Sequence, residues 1–486
     1  MFQYGVMPPA MFLGMIIFML FGFPVAFSLA AVGLFFGLIG IGTGHFEIAF
    51  MQALPLRVFG IISNDLLLAI PFFTLMGAIL ERCGLAEDLL EGTGKLFGRI
   101  PGGLAYAVIL VGAILGAITG TVAASVITMG VISLPIMLKY GYSPRLATGV
   151  IAASGTITQV IPPSLVLIVL ADQLGRSVGD MYLGAIGPSI LQILIFILFI
   201  MVLSLLRPKD LPPLPPEARG EMNWKLIAQV LWGMIPSIVL IFLVLGTIFM
   251  GIATPTEAGA LGVVGAMVLA ALHGRLTWNL VQQGMHSTMQ ITAMVVFILI
   301  GATCFSLVFQ GMNGGVWIEH MLSHVPGGAV GFLIFVNIFI FFLAFFLDFF
   351  EIAFIVIPML APVAESLGID LIWFGVLICI NMQTSFMHPP FGFALFYLRS
   401  IAPRTVKTRD IYLGALPWLG MQLILVFIVI FWPSTVTYWL DNAPPVDLDS
   451  IKIEVPSLGG GLGQGGPNFG LPPLGTEPPQ SPPSQP

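Results

Sequence analysis

Four stretches of this 486-residue sequence place glycine, hydroxyl, proline or acidic residues inside otherwise apolar segments. They are residues 116–125, 154–164, 347–351 and 383–392. Proline removes a backbone donor, and the residue before it leaves the helical region, so a helix breaks at such a point. The resulting half-helices end in free carbonyl groups, which attract cations, and begin with free N–H groups, which attract carboxylates. These stretches therefore predict a site for a small solute and an accompanying cation such as Na⁺.

The candidate binding residues fall into two groups, one in each half of the chain. The first group comprises Thr119, Gly120, Thr121, Ser125, Thr156, Thr158, Pro162, Pro163 and Ser164. The second group comprises Asp348, Glu351, Gln383, Thr384, Ser385, His388, Pro389 and Pro390. The two carboxylates of the second group can supply negative charge beside a bound cation.

Each candidate also has an interpretation that involves no ligand. An isolated Pro-Pro pair in a membrane helix is more often only a kink, but the two pairs here recur in matching positions with hydroxyl residues beside them. Asp348 and Glu351 could instead form an ion pair or a hairpin end that faces water. His388 could contact solute, and the sequence favours neither this nor a purely structural role.

Other polar residues favour structural roles. Glu257 follows Thr254 at the start of an apolar segment, where it is expected to cap a helix. His320 and His324 have metal-ligand spacing without a third ligand, which favours a surface turn, and Na⁺ is the only metal expected. The sequence contains no glycine-rich phosphate loop and no recognisable nucleophile with an orienting base. ATP-driven transport and catalysis are therefore not supported, and no cofactor is expected.

The composition excludes a soluble protein. The sequence is 58% hydrophobic and only 8% charged, with a mean hydropathy of +1.04, whereas a soluble domain carries roughly a quarter charged residues. Apolar runs such as residues 186–206 and 226–250 reach the roughly 20 residues that span the hydrocarbon of a bilayer. Residues 11–41 lack the flanking signals of a cleaved leader and are expected to be one retained span. We therefore predict an all-α polytopic membrane protein.

Four landmarks recur in the same order, at a spacing of about 223–230 residues. They are the pairs Pro101 and Pro326, Pro135 and Pro358, Pro162-Pro163 and Pro389-Pro390, and Asp180 and Asp410, each within a similar local sequence. Four matches in one order indicate an internal repeat. Repeated halves are typical of secondary transporters.

The positions of the basic residues indicate that the two repeats are inverted. If residues 104–138 and 328–365 are re-entrant hairpins, 14 of the 17 Lys and Arg residues lie on one side, leaving Arg57, Arg176 and Lys452 on the other. Basic residues are enriched on the cytoplasmic side of membrane proteins. The sequence therefore predicts a cytoplasmic N-terminus and a periplasmic C-terminal tail.

These features divide the chain into six parts. The predicted parts are an N-terminal span and connector (1–65), a first repeat (66–206), a cytoplasmic linker (207–225), scaffold helices (226–288), a second repeat (289–437) and a disordered Pro/Gly-rich tail (438–486). Each repeat is expected to contain a hairpin, at about 104–138 and 328–365. Each hairpin is followed by a broken helix, at about 146–171 and 371–398.

Several motifs resemble those of the large membrane subunit of tripartite ATP-independent periplasmic (TRAP) transporters. They are Pro71-Phe-Phe-Thr-Leu-Met-Gly77, Gly155-Thr-Ile-Thr-Gln-Val-Ile-Pro-Pro-Ser164, Gly251-Ile-Ala-Thr-Pro-Thr-Glu-Ala258, Leu367-Gly-Ile-Asp370 and Trp373-Phe-Gly375. Each motif is weak alone, but the combination is specific and covers about residues 10–437.

The resemblance implies a Na⁺-coupled importer of small organic acids, often carboxylates, in a bacterial inner membrane. It implies a small four-helix membrane subunit and a periplasmic substrate-binding protein as partners, together with membrane lipid and no nucleic acid. It also implies an elevator motion, in which two hairpins and two broken helices slide against a scaffold. By position it assigns one half of the Na⁺ and substrate site to Thr119, Gly120, Thr121, Thr156, Pro162 and Pro163. It assigns the other half to Asp348, Thr384, Ser385, Pro389 and Pro390.

Two departures from the family pattern bear on the solute. Residues 347–351 are bulkier and more acidic than the commoner Met-Asp-Ser type, and His388 stands where threonine is often expected. Two other functions compete with the leading hypothesis. One is a stand-alone Na⁺/organic anion symporter that needs no binding protein. The other, least favoured, is an intramembrane enzyme that uses Asp348 with Glu351, or His388.

Overall fold

In a computed structural model, the regular secondary structure of the described residues is helical. The structure describes residues 6–218, 224–323, 325–345, 347–389 and 392–440. Most of the predicted tail, residues 441–486, lies outside these ranges, as do residues 219–223 of the predicted linker and the candidate Pro390.

The helices of the first half are α1 (Met7–Leu20), α2 (Val25–Gly42), α3 (Ile48–Gln52), α4 (Leu54–Ile62), α5 (Ala69–Arg82), α6 (Leu85–Phe97), α7 (Gly103–Thr119), α8 (Val122–Lys139), α9 (Pro144–Thr156), α10 (Leu165–Gln173) and α11 (Val178–Leu206). Those of the second half are α12 (Trp224–Phe249), α13 (Pro255–Leu272), α14 (Trp278–Gly311), α15 (Gly314–Ser323), α16 (Gly328–Leu343), α17 (Phe349–Glu351), α18 (Ile357–Ser366), α19 (Leu371–Ser385), α20 (Phe393–Ile401), α21 (Thr408–Phe431) and α22 (Ser434–Thr437). A 3₁₀ turn, Ile157–Gln159, follows α9, and a π-helical turn, Ile352–Val356, joins α17 to α18.

Within the described ranges, eight helical stretches are long and apolar enough to cross a membrane, or nine if the bent pair α5 and α6 forms one span. They are α2, α8, α11, most of α12, α13, α14, the run from α17 to α18, and α21. Large apolar side chains project outward from them, and Phe242 of α12 is 71% exposed. Helices that are apolar on all sides are typical of membrane spans. The protein is a multi-pass membrane protein, as predicted.

The N-terminal apolar run forms two helices, so the prediction of one span over residues 11–41 is wrong. α1 ends at Leu20 and α2 begins at Val25. Between them Gly22 has a φ of 77°, and Pro24 has no backbone N–H to donate. The high mean hydropathy of the run conceals these two helix-breaking residues.

Residues 81–100 contain the charged helix α6. Leu85 and Leu89 are buried on one face, while Glu87 and Glu91 are exposed. This stretch is therefore an amphipathic helix, and its many charged residues lie on its exposed face.

Two predictions about polar residues outside the breaks, for Glu257 and for His320, can be compared with the structure. Glu257 accepts a hydrogen bond from the N–H of Thr254 at 2.8 Å, and its own N–H donates to Thr254 Oγ1 at 3.3 Å, so the predicted helix cap is confirmed. His320 is at the surface, as predicted, but in a helix and not in a turn, while His324 lies outside the described residues. His320 is exposed on α15, whose opposite face buries Trp317.

Each broken helix packs against a long helix of the other repeat. α9 lies against α21, and α19 lies against α11. At the crossing of α9 and α21, a side chain on Gly149 would collide with the carbonyl group of Gly414, and one on Gly414 would collide with the carbonyl of Arg145. Helix backbones approach this closely only where small residues meet.

We expect Gly414→Ala to destabilise the protein by about 1–3 kcal/mol, because the added methyl group meets the backbone of α9 and forces the two helices apart. Gly420→Ala is the matched control on the same helix, since an added Cβ there has no neighbour within 4 Å. Thermal unfolding in detergent should give a lower Tm for Gly414→Ala and an unchanged or slightly higher Tm for Gly420→Ala. Equal Tm values for the two variants would contradict the close crossing.

The start of α7 and the residues after α8 lie side by side. Tyr142 OH accepts a hydrogen bond from the N–H of Leu104 at 3.2 Å. The segment after α11 contacts both ends, since the carbonyl of Leu211 accepts from the N–H of Gly102 at 3.0 Å and that of Asp210 from the N–H of Ser143 at 3.1 Å. The two ends of the α7–α8 unit, near residues 102 and 143, therefore lie close together. The connection between α7 and α8 lies midway along the chain between them.

Candidate functional site

A cavity of about 240 Å³ is lined by residues from both repeats. Gly120 and Thr121 line it from the connection between α7 and α8, and Asp348 lines it from the start of α17. Two of the stretches that the sequence singles out, more than two hundred residues apart, therefore meet at one cavity.

The connection between α7 and α8 depends on Gly120. Its φ of 63° is unfavourable for residues with a side chain, and its N–H donates to the carbonyl of Gly116 at 3.2 Å, which ends α7. Thr121 is extended, and α8 begins directly after it. The hydroxyls of Thr119 and Ser125 are buried with no hydrogen-bond partner in the described part of the chain. Buried polar groups are normally paired, so these two hydroxyls are exceptions, but neither residue lines the cavity.

Asp348 and Glu351 have different positions. Asp348 caps α17, where its Oδ1 accepts a hydrogen bond from the N–H of Phe349 at 2.6 Å. Glu351 Oε2 accepts from the N–H of Asp348 at 2.8 Å, and the Glu351 residue is only 5% exposed. The pair is a capping box in which Asp348 also lines the cavity, while Glu351 satisfies the backbone behind it.

The break between α9 and α10 contains five of the candidates, all buried and none lining the cavity. The hydroxyls of Thr156 and Thr158 donate to carbonyl groups three residues earlier, at 2.9 and 3.0 Å. Ser164 caps α10, because its Oγ accepts from the N–H two residues later at 3.2 Å. Pro162 and Pro163 lie between the two helices. These residues shape the backbone behind the cavity.

The last turn of α19 contains three candidates, Gln383, Thr384 and Ser385, which are all buried. The hydroxyls of Thr384 and Ser385 each donate to a carbonyl three residues earlier, at 2.6 Å. The Gln383 side chain accepts hydrogen bonds from two other helices. This end of α19 is therefore a polar junction behind the cavity.

His388 lies in an aromatic cluster. Its ring stacks on that of Phe345, with 3.8 Å between centroids, and meets the edge of Phe341 at 5.1 Å. The His388 residue is 2% exposed and does not line the cavity, and Pro389 beside it is half-buried. This arrangement places His388 in packing contact with the end of α16 and the residues after it.

Several cavity residues are not singled out by the sequence. Gln159 lines the cavity, and its Oε1 is buried without a partner among the described residues. Its only sequence signal is its place beside a predicted break. The aromatic lining comes from Phe349, Phe350, Phe386, Phe393 and Tyr397. In a chain with 39 phenylalanines, these positions carry no distinguishing signal.

Two further glutamines contact the breaks without lining the cavity. Gln192 of α11 and Gln422 of α21 are both 0% exposed. Gln192 Nε2 donates to Gln383 Oε1 at 2.6 Å, and Gln422 Nε2 donates to Thr156 Oγ1 at 3.0 Å and to Gln383 Oε1 at 3.3 Å. The sequence signal that identifies them is the repeat, because the two glutamines occupy matching positions.

Asp348 is the one carboxylate among the described residues that line the cavity, and these include no Lys or Arg. The lining also offers the hydroxyl of Thr121 and the unpartnered amide oxygen of Gln159. Carboxylate, hydroxyl and carbonyl oxygens are the ligands that hard cations prefer. The side chains present therefore fit a hard cation such as Na⁺.

The architecture is similar to that of a solved transporter. The crystal structure of the Alcanivorax borkumensis YdaH transporter aligns with a TM-score of 0.57 and 15% sequence identity, covering 79% of this chain and 89% of that chain. At this identity the likeness shows the fold alone. The class of fold is that of a multi-helix membrane protein.

Residues 12–435 match the family model described as Tripartite ATP-independent periplasmic transporter, DctM component. The chain belongs to this family, the large permease subunits of TRAP transporters. A C4-dicarboxylate TRAP transporter large permease protein of Vibrio cholerae is 29% identical over 443 residues, covering 87% of this chain and 94% of its own. A sialic acid TRAP transporter large permease protein of the same species is 27% identical over 416 residues, covering 85% and 93%. Since both relatives are named as permeases, the prediction of a transporter subunit rather than an enzyme is confirmed.

Proposed function

We propose that this protein is the permease subunit of a Na⁺-coupled secondary importer for small organic acids in a bacterial inner membrane. Membership of the family supports the assignment of the chain as a permease subunit. The two relatives are named for C4-dicarboxylates and sialic acid, which are both carboxylic acids. The cavity, at about 240 Å³, suits a solute of small size.

The observation that carries the proposal is the charge of the cavity lining. A carboxylate that enters meets the Asp348 carboxylate and no described Lys or Arg. Two negative charges repel each other strongly in a poorly hydrated membrane interior. A cation bound between them removes this repulsion, so solute and Na⁺ bind favourably only together. Backbone N–H groups at the start of α8, which no side chain caps, are suited to contact the solute carboxylate.

The proposed movement is that of an elevator. Because both ends of the α7–α8 unit meet the segment after α11, that unit is suited to be a re-entrant hairpin with Gly120 inside the membrane. By the internal repeat, α16 to α18 form the second hairpin. In this mechanism the two hairpins and the broken helices α9–α10 and α19–α20 move together, against a scaffold that includes residues 226–288.

The proposed orientation follows from basic residues near these hairpin ends. Arg99 and Lys139 flank the α7–α8 unit, and Arg207 and Lys209 lie in the segment that contacts its ends. Basic residues are enriched in cytoplasmic loops. We therefore assign this side to the cytoplasm, with the N-terminus on the same side and the C-terminal tail in the periplasm.

Reconstitution into liposomes tests the proposed function. The purified chain is combined with the small four-helix subunit and the periplasmic binding protein from its own genome. Uptake of labelled succinate, sialic acid and a panel of other organic acids is measured under an inward Na⁺ gradient or an equal K⁺ gradient. We expect uptake of at least one organic acid, only under the Na⁺ gradient and only with both partners.

Each departure from this result has a distinct meaning. Na⁺-dependent uptake by the chain alone would favour the stand-alone symporter. Uptake of equal rate under Na⁺ and K⁺ would contradict the coupling to Na⁺. Absence of uptake across the whole panel, in vesicles that contain correctly inserted protein, would contradict the assigned class of solute.

A further inference from the structure

Gln192 and Gln422 occupy equivalent positions in the two repeats. They are 230 residues apart, which is also the separation of Asp180 and Asp410 near the starts of α11 and α21. Both glutamines are therefore at the same place on the long helix of their own repeat. Both are fully buried.

Their hydrogen-bond partners are also equivalent to each other. Thr156 and Gln383 are 227 residues apart, which is also the separation of Pro162 and Pro389 in the two breaks. Thr156 is the last residue of α9, and Gln383 lies in the last turn of α19. Each partner is therefore placed directly before a helix break.

The hydrogen bonds cross from one repeat to the other. Gln192 of the first repeat donates to Gln383 of the second at 2.6 Å, and Gln422 of the second donates to Thr156 of the first at 3.0 Å. A third bond, from Gln422 to Gln383 at 3.3 Å, joins the two pairs. Each break is thus bonded to the glutamine of the opposite repeat, and the four side chains form one network.

The location of the network makes these bonds effective. All four residues are 0% exposed, so a lost bond is not replaced by water and leaves a buried polar group unpaired. The breaks themselves have interrupted backbone ladders, because prolines and 3₁₀ geometry replace regular helix there. Side-chain bonds from rigid helices on both sides then decide where the two breaks lie relative to each other.

We propose that Gln192 and Gln422 are positioning residues that fix the two helix breaks relative to each other and so align the two halves of the cavity. Neither glutamine lines the cavity, and their effect on solute passes through α9 and α19. The expected effect on Na⁺ binding rests on the proposed function. The expected effect on the two breaks does not.

Hydrogen exchange of the full chain in lipid nanodiscs tests the positioning role without a solute. Met replaces Gln at similar volume and removes the hydrogen-bonding amide. In Gln422→Met we expect backbone amides of both residues 154–164 and residues 381–389 to exchange about tenfold faster, the change that loss of one or two hydrogen bonds produces. In Gln192→Met we expect this change only in residues 381–389. Gln310→Met makes the same substitution at an exposed position of α14 and should leave both segments unchanged.

Wild-type exchange at both breaks in Gln422→Met, or faster exchange confined to α21 itself, would overturn the proposal. If Gln422→Met does not fold, Gln192→Met decides the question by its effect on residues 381–389. A second readout is the NaCl concentration that gives half-maximal stabilisation of the purified protein against heat, measured at constant ionic strength with choline chloride. We expect it to rise about tenfold in Gln192→Met/Gln422→Met. If NaCl does not stabilise the wild type, the Na⁺ coupling in the proposed function is contradicted, while the exchange result still decides the positioning role.

Discussion

Asp348→Asn should reduce solute uptake about a hundredfold while leaving the protein folded and inserted in the membrane. Asparagine has nearly the same size and keeps an oxygen to accept the hydrogen bond from the N–H of Phe349, so the cap of α17 is retained. The substitution removes the one carboxylate that lines the cavity within the described chain. A carried cation then loses its charged ligand. Initial uptake rates in proteoliposomes, normalised to inserted protein, measure the effect.

The control for this experiment is Asp370→Asn, because Asp370 is also a helix-capping aspartate. Its Oδ1 accepts a hydrogen bond from the N–H of Trp373 at 2.7 Å, at the start of α19, and it does not line the cavity. We expect Asp370→Asn to transport at close to the wild-type rate. Similar losses in both variants would mean that capping, rather than charge in the cavity, is the property that matters at Asp348.

Gly120→Val should reduce uptake at least about tenfold, because two effects act at the connection between α7 and α8. A β-branched residue is strained at a φ of 63°, so the connection shifts towards a different backbone conformation. The new side chain also points towards Leu165, whose Cγ would lie 3.5 Å from the first added carbon. Both changes displace Thr121 on the wall of the cavity. Uptake is measured as a function of solute concentration. We expect the half-saturating solute concentration to be higher for Gly120→Val than for the wild type.

Gly175→Val separates these effects from backbone strain alone. Gly175 has nearly the same φ, 61°, but it lies in an exposed turn after α10, where an added Cβ has no neighbour within 4 Å. We expect Gly175→Val to lower the Tm by about as much as Gly120→Val does, but to leave uptake unchanged. If Gly175→Val impaired uptake as strongly as Gly120→Val, the strain itself would be responsible, and the proposed place of Gly120 at the solute site would be contradicted.

The helix breaks could be predicted from the sequence because their causes are local. Proline and glycine act on the backbone within one or two residues, so the interruptions near Gly120 and Pro163 are visible before any packing is known. The interruption near Asp348 has neither residue and is marked instead by two acidic residues within an apolar run. The same local causes account for the break at Pro24, which the high hydropathy of its neighbours conceals. The internal repeat then shows which breaks correspond.

The contacts behind the breaks could not be predicted in the same way. Gln192 and Gln422 stand alone within long apolar helices, and their bonding partners are 191 and 266 residues away in the chain. Which side chains meet is decided by helix crossings such as that at Gly149, and sequence spacing within one helix does not report these. The position of His388 among phenylalanines has the same origin, because stacking on Phe345 requires the segment after α16 to pack against the segment after α19.

The crossing of α9 with α21 has a consequence for how the protein is made. Thr156 leaves the ribosome 266 residues before Gln422. For much of translation, α9 therefore has been synthesised while α21, the helix that packs against it, has not. Until α21 is inserted, the side of α9 that carries Gly149 must be covered by lipid, by the insertion machinery or by a transient neighbour. A chain that terminates before α21 would therefore lack the helix that packs on α9. We expect such a chain to be incompletely folded and to be degraded rapidly by membrane proteases.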